Sequence, residues 1–440
     1  MSRKDILWLG RRYRIAAYSS DPDRDRPQSP SLPAAASSGG DIGTLSPRHS
    51  RRKPNGQDEG VTVSERSFDL AIVGAGICGL AHALAAARRG KRVVVLDRDA
   101  QANGASIRNF GFITVTGQEE GECWSRALRS RDVWAEVAEA AGIPILQRGL
   151  LTIARRSEAL AVLEEFAASE MGRDCRLLAP AAMDAIGDGL RTRDFAGGLH
   201  SPHELRVESR EAIPRLAAFL KERHGVTILR GTVVHAAAPP ALTTSRGKIA
   251  AEAVVVCPGD DFATLHPERL AAYGLTRCKL HMMRLRHDGF DTRLPPVMSD
   301  LGMIRYLGYS KLPAAAALRE RLEIEQREHI ANGVHLIVVR SADGSLVVGD
   351  SHHYAATPDP FAPTAVDDLI LDEFALVFDG PAPEVVERWT GTYASAKDRL
   401  MLVDAPSDAL RIVVITSGTG ASTSFAIAEE VIADLYGPVA

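Results

Sequence analysis

The 440-residue chain has only five cysteines, Cys78, Cys123, Cys175, Cys257 and Cys278, and no two of them form a CxxC pair. That scatter fits neither a cysteine zinc site nor a disulfide framework, and it points to a reducing, cytoplasmic setting. No apolar run approaches the ~20 residues needed to cross a bilayer. Arg11, Arg12 and Arg14 are not followed by the apolar core of a secretory signal, so no membrane association is expected. A formal net charge of only −4 removes any whole-chain electrostatic case for nucleic acid. A repeat of fixed period is also missing, which excludes solenoid and propeller architectures.

What is present begins with composition. Residues 1–66 are rich in Arg, Pro, Ser and Asp, with SSGGD at Ser37–Asp41 and HSRRKPNG at His49–Gly56. Such a segment buries too little apolar surface to offset the entropy of ordering, and a disordered extension is expected. Beyond it the chain is long enough for a sizeable core or two adjoining ones.

Phe68–Asp97 reads FDLAIVGAGICGLAHALAAARRGKRVVVLD. An apolar run meets Gly74, Gly76 and Gly79, passes into an Ala/Leu-rich helix and returns at Val93–Leu96 before Asp97. In this β-α-β unit the glycines serve a tight turn, close approach to a pyrophosphate and close helix–strand packing. Asp97 falls about twenty residues on, where a carboxylate meets a ribose.

Further along, Asn103–Gln118 is a glycine-bearing loop with little helical character. Helices are expected at Glu119–Ala141, Ser157–Met171, Ser209–His224, Ala314–Asn332 and Thr364–Phe378. Strands are expected at Leu150–Ala154, Phe195–His200, Val226–Leu229, Thr232–His235, Val254–Val256, Lys279–Arg286 and Val385–Tyr393. Val334–Arg340 and Ser345–Gly349 flank Ala342-Asp343-Gly344 as a hairpin. The chain closes with strand Arg411–Ile415, a second glycine turn SGTGAS at Ser417–Ser422, and a helix from Thr423 to Tyr436.

The GxGxxG unit, the VVVCPG strand end at Cys257–Gly259 and the C-terminal strand–SGTGAS–helix together resemble the D-amino-acid oxidase superfamily of flavoproteins, which includes glycine and sarcosine oxidases. SIRNFGFITVTGQ (Ser106–Gln118) and DGSLVVGDSHHY (Asp343–Tyr354) are similar to a subgroup linked to breakdown of 2-aminoethylphosphonate and its N-methyl derivative. The resemblance implies an α/β fold, with a Rossmann-like FAD-binding domain and a discontinuous α+β substrate domain carrying an antiparallel sheet. The cofactor domain is expected to take residues 67–150, 205–265 and 388–440, and the substrate domain 151–204 and 266–387.

By the same resemblance Gly74, Gly76 and Gly79 approach the pyrophosphate, Asp97 the ribose (the family usually has glutamate there), Arg98 the adenosine, and the Val234 backbone the adenine. Gly259 follows in the CPG turn. Ser106, Arg108, Asn109 and Gly111 match the family's loop beside the flavin; alone, Arg108 also reads as a surface ion-pair residue. The N–H groups of Gly418, Thr419, Gly420 and Ala421 face flavin N1 and the C2 carbonyl, where a helix N-terminus stabilises the charge of reduction. Gly391 stands where sarcosine oxidases carry a flavin-linking cysteine, so non-covalent FAD is expected.

Amino-acid oxidases hold the substrate carboxylate with an arginine in a G-x-R-P strand; here Tyr393 takes that place. Ser422 or Thr423 replaces a sarcosine-oxidase lysine, and Val347 replaces the oxygen-activating one. These departures speak against an ordinary α-amino acid and leave oxygen or another electron acceptor open. A tetrahedral phosphonate suits hydroxyl, imidazole and ammonium donors, for which the candidates are His352, His353 and Tyr393, with Arg284, Lys279 and Tyr306 behind them. His352 and His353 read either as surface histidines at a hairpin end or as groups over the flavin, one of them taking the amine proton. The implied activity is oxidative deamination of a small primary or secondary amine, 2-aminoethylphosphonate or its N-methyl derivative, to phosphonoacetaldehyde. A glycine- or sarcosine-type oxidase and a flavoprotein subunit of a larger assembly are the alternatives. An NAD-dependent dehydrogenase would leave the second glycine turn without a task.

Overall fold

The computed structural model describes Ser67–Pro438, so the expected disorder of residues 1–66 lies outside the described residues. Two sheets organise the chain. The first is built on strand Ser67–Val73, which runs parallel to Val93–Leu96 on one side and to Gly247–Val256 on the other. Thr227–Leu229 extends it beyond Val93–Leu96, and Leu410–Ile415 extends it beyond Gly247–Val256, all in parallel. Met401–Ser407 closes one edge antiparallel. Val93–Leu96 and Val254–Val256 are buried throughout, as strands covered on both faces must be.

Helices Ile77–Ala87, Glu122–Ala140, Ser209–His224 and Gly420–Tyr436 share one core on that sheet, with Leu80, Leu84, Trp134, Val137, Leu216, Phe425 and Ile432 among its members. Trp134 packs edge-on to Phe425 at 5.2 Å between ring centres and donates from Nε1 to the Ala421 carbonyl at 2.7 Å. The tryptophan therefore braces the first turn of the C-terminal helix.

The second sheet is mixed and largely antiparallel. Thr276–Arg286 pairs along its whole length with Glu384–Ser395 and also with Leu346–Gly349 and His353–Ala355. Ile337–Arg340 and Leu346–Gly349 form the expected hairpin. Val297–Met298, Ile145–Ala154 and Gly197–Val207 continue the sheet. Strands Ile145–Ala154 and Glu384–Ser395 both belong here, so the domain boundaries expected at 150 and 388 fall inside strands of this sheet.

Side-chain alternation gives the sheet two faces. One packs under helices Ser157–Ala167, Ala315–Glu325 and Thr364–Val377 through residues such as Met283, Leu285, Val338 and Phe374. The other carries Phe110, Leu280, Met282, Ile337 and Val339, with Tyr306 and Tyr393 packed on them, and looks toward the first sheet.

The helix expected over Ala314–Asn332 is two helices, Ala315–Glu325 and Arg327–Ala331. At the break, the buried Gln326 amide accepts from Arg155 and Arg156 and donates to Glu373. A buried polar network there outweighs local helix propensity.

Candidate active site

Both glycine turns and the inner face of the second sheet border one extended cavity of about 870 Å³. At one end, Gly76 caps helix Ile77–Ala87 with extended backbone. Gly79 lies so close to the preceding strand that a Cβ would stand 1.9 Å from the Gly74 carbonyl oxygen, so only glycine fits. Asp97 ends the next strand and accepts from Ala75 N at 2.7 Å and Asp99 N at 2.9 Å, with Arg230 3.4 Å away. The Ser106 hydroxyl accepts from Ile77 N at 2.9 Å, capping the helix from the neighbouring loop. Gly74, Gly76, Gly79, Asp97, Ser106, Val234 and Gly259 all line the cavity. Arg98 lines it too, with its guanidinium on Asp261 at 2.6 Å.

In the middle stand Arg108 and Asn109. Arg108 donates to Asn103 at 3.0 Å, while its carbonyl receives Trp389 Nε1 at 3.4 Å. Asn109 braces the loop from within, donating to the Ala105 carbonyl and accepting from Gly111 N and the Ser209 hydroxyl. Gly111 is not on the wall: its carbonyl accepts from Val207 N at 2.9 Å, locking the loop to strand Gly197–Val207. Its task is backbone packing rather than the cofactor contact expected of it.

Gly418, Thr419, Gly420 and Ala421 line the cavity from the opposite side. Gly418 has φ +75°, and a Cβ there would lie 3.1 Å from Tyr393 Cζ. Thr419 caps the C-terminal helix, whose first N–H groups have no intrahelical acceptor and lie on the cavity wall. Two helix N-termini on one cavity suit a ligand that carries phosphate at one end and a reducible ring at the other. The residues present therefore fit FAD.

The remaining wall is polar and titratable. Tyr306 and Tyr393 line it, both hydroxyls pushed well above the usual phenol range first by burial. His352 lines it as well, with its imidazole held well below 6.5 by burial, then by Arg305 and His335.

Three expected substrate residues lie elsewhere. Lys279 sits opposite His353 in the sheet, and Cys278 opposite Tyr354. Alternation sends Lys279 and His353 to the far face, where Lys279 Nζ donates to the carbonyls of Asp359 and Phe361 and the His353 ring lies 5.7 Å from His281. Arg284 is tied to Ser341, Ser345 and Glu387 near the hairpin turn and does not line the cavity. None of the three reaches a ligand in the cavity.

Sequence reasoning missed Arg305, His335, Asp350 and Tyr354. Arg305 follows the short 3₁₀ helix Asp300–Ile304 and donates from Nη2 to the Tyr354 hydroxyl at 2.8 Å. Burial opposes its charge, but Tyr393, Tyr354 and Asp350 more than offset that and raise its pKa. Asp350 is raised to about 8 by burial, against the pull of Arg305, and His335 is lowered to about 3 by burial and then by Arg305. No local motif marks Arg305 or His335, while Asp350 and Tyr354 lie in the DGSLVVGDSHHY run without having been singled out.

No curated protein matches the chain. Among solved structures, glycine oxidase from Geobacillus kaustophilus aligns with TM-score 0.68 at 20% identity, over 85% of this chain and 96% of that one. L-proline dehydrogenase from P. horikoshii gives TM-score 0.68 at 18% identity, over 84% and 94%. An FAD-bound L-alpha-glycerophosphate oxidase from Mycoplasma pneumoniae gives TM-score 0.64 at 14% identity, over 84% and 95%. At these identities the likeness is one of fold. The sequence profile described as "DAO: FAD dependent oxidoreductase" matches residues 69–435, and with the two glycine turns on one cavity this places the chain in the DAO family of FAD-dependent oxidoreductases.

Proposed function

We propose that the protein oxidises a small amine bearing an anionic group, with 2-aminoethylphosphonate or its N-methyl derivative as the best candidates. The observation that carries this reading is the half-buried Arg305 on the cavity wall, its guanidinium bonded to the Tyr354 hydroxyl, together with Tyr306 and Tyr393. These groups surround an anion from several directions, as a tetrahedral phosphonate requires, while the planar clamp is missing from the strand where Tyr393 stands.

Bound FAD supplies the hydride acceptor. The chain's residues do the rest. The N-terminus of helix Gly420–Tyr436 holds developing negative charge, and Arg305 with its tyrosines anchors the substrate's anion. His352, a poor proton acceptor at neutral pH because its imidazole is held well below 6.5, serves as wall rather than base. His353 faces away, so the amine enters in its neutral form, its proton already lost to water. Water then hydrolyses the imine to phosphonoacetaldehyde and ammonia or methylamine. Gly391 in place of a linking cysteine supports non-covalent flavin, and Val347 in place of lysine leaves both oxygen and another electron acceptor open.

Arg305 also favours a second reading, a glycine- or sarcosine-type oxidase, because a guanidinium holds a carboxylate equally well. Anaerobic addition of amines to the purified flavoprotein, followed at about 450 nm where oxidised flavin absorbs, separates the two. Bleaching by aminoethylphosphonates supports the proposal; bleaching by glycine or sarcosine alone overturns it.

A further inference from the structure

We propose that His335, Asp350 and His352 bind one divalent first-row metal ion, zinc being the first candidate, at the anion end of the cavity. The three line the cavity wall and are more than nine-tenths buried. One ligand atom from each lies within 4.8 Å of the others. His335 Nδ1 is 3.1 Å from Asp350 Oδ1, and His352 Nε2 is 3.6 Å from Asp350 Oδ2. Metal bonds of about 2.0–2.2 Å at tetrahedral or octahedral angles separate neighbouring ligand atoms by roughly 3.0–3.5 Å. Each histidine stands near that spacing from one Asp350 oxygen.

The hydrogen bonds point to the same place. His352 Nδ1 lies 2.8 Å from the Gly333 carbonyl, to which it can only donate, so Nε2 presents its lone pair to Asp350. A backbone carbonyl on the far ring nitrogen is the usual support of a metal-bound imidazole. Neither ring nitrogen of His335 has a hydrogen-bond partner, nor does Asp350 Oδ1. The backbones of His335 and Asp350 exchange two hydrogen bonds, at 3.1 and 2.9 Å, so their side chains are held side by side by the ladder. Three acceptors converge on one buried point. A single proton satisfies one contact among them; a dication satisfies all three.

Two histidines and one carboxylate leave coordination positions open, and here they open into the cavity. With Arg305 beside it, the metal-loaded cluster carries surplus positive charge after Asp350 is counted, so it favours an oxyanion ligand. This last step rests on the anionic-substrate reading above. The second cluster of ligand-type side chains among the described residues, Cys78, His82 and Cys257, lacks this logic. His82 Nδ1, the nitrogen 3.9 Å from each sulfur, already donates to the Cys78 carbonyl at 2.7 Å and has no lone pair for a metal.

The test uses the flavin-loaded full chain, stripped with EDTA, dialysed against Zn²⁺ and measured for zinc per flavin. About one zinc per chain is expected in the wild type, weakened at least about tenfold in Asp350→Asn and His335→Gln and unchanged in His353→Gln. Flavin absorbance reports whether each variant is folded. Zinc K-edge absorption on the wild type should show nitrogen and oxygen ligands only, and methylphosphonate should tighten zinc binding. Failure to bind zinc, Mn²⁺ or Fe²⁺, a sulfur shell, or equal affinity in folded Asp350→Asn overturns the site. Metal-free enzyme that aminoethylphosphonate bleaches at full rate overturns the site's part in substrate binding and leaves the proposed function standing. Metal bound without such bleaching does the reverse.

Discussion

Arg305 donates to the Tyr354 hydroxyl over 2.8 Å, joining the loop after the Asp300–Ile304 helix to strand His353–Ala355 across the cavity wall. Arg305→Leu should raise KM for an anionic amine by roughly 10- to 100-fold while flavin content stays near wild type, and Arg305→Lys should recover part of the loss. Steady-state kinetics with the flavin spectrum as control decides it. An unchanged KM removes Arg305 from substrate binding.

Gly418 combines a left-handed backbone with contact against the Tyr393 ring. Gly418→Ala places a methyl in that contact and costs about 1–2 kcal/mol in backbone strain alone. The turn then shifts away from the ring, and the anaerobic flavin reduction rate should fall about tenfold or more. Stopped-flow measurement at matched flavin occupancy checks this; a wild-type rate would show that the turn does not set the chemistry.

Asp97 holds the Ala75 amide in the first glycine turn. Asp97→Ala leaves that N–H without its acceptor and removes the proposed ribose partner, at a cost of about 1–3 kcal/mol. FAD affinity measured by titrating the apoprotein should weaken by about one to two orders of magnitude, with Asp97→Glu closer to wild type. Equal affinities would refute the ribose role.

Asp404 predicts a pH dependence of stability. It accepts two bonds from Arg269, at 2.6 and 2.8 Å, and one from Tyr273, and these hold its pKa below the ordinary 3.8, the Arg269 bond being the largest cause. A carboxylate with a depressed folded pKa stabilises fully above its unfolded value and loses that contribution as pH falls through the folded one. Asp404→Asn should therefore lower Tm at pH 7, and the gap to wild type should close below pH 3.8. A gap that persists in acid would assign the loss to packing instead.

The phosphate end of the cavity was legible because its parts are contiguous: Gly74 to Asp97 is one β-α-β unit, and Ser106 to Asn109 one loop. The proposed substrate end brings Arg305 and His335 to Asp350 and His352, and no local pattern links the first two to the Asp343–Tyr354 run. Lys279 and His353 show the second difficulty. Strand character was read around Lys279 but not over His353–Ala355, and in either strand a shift of one residue in phase exchanges the two faces of a sheet. Cys278 and Tyr354, their neighbours in sequence, took the inner face.

Strand Glu384–Ser395 carries Tyr393 on the second sheet, then bridges from Ser395 to Ser417 at the start of the C-terminal glycine turn. One strand and one bridge thus tie the proposed anion end of the cavity to the N-terminus of helix Gly420–Tyr436. Such a strut makes the site a gauge of length. An amine is oxidised only when the bonds between its anionic head and its reacting carbon match a span that the sheet does not let vary, so homologues one methylene longer or shorter should bind yet turn over slowly.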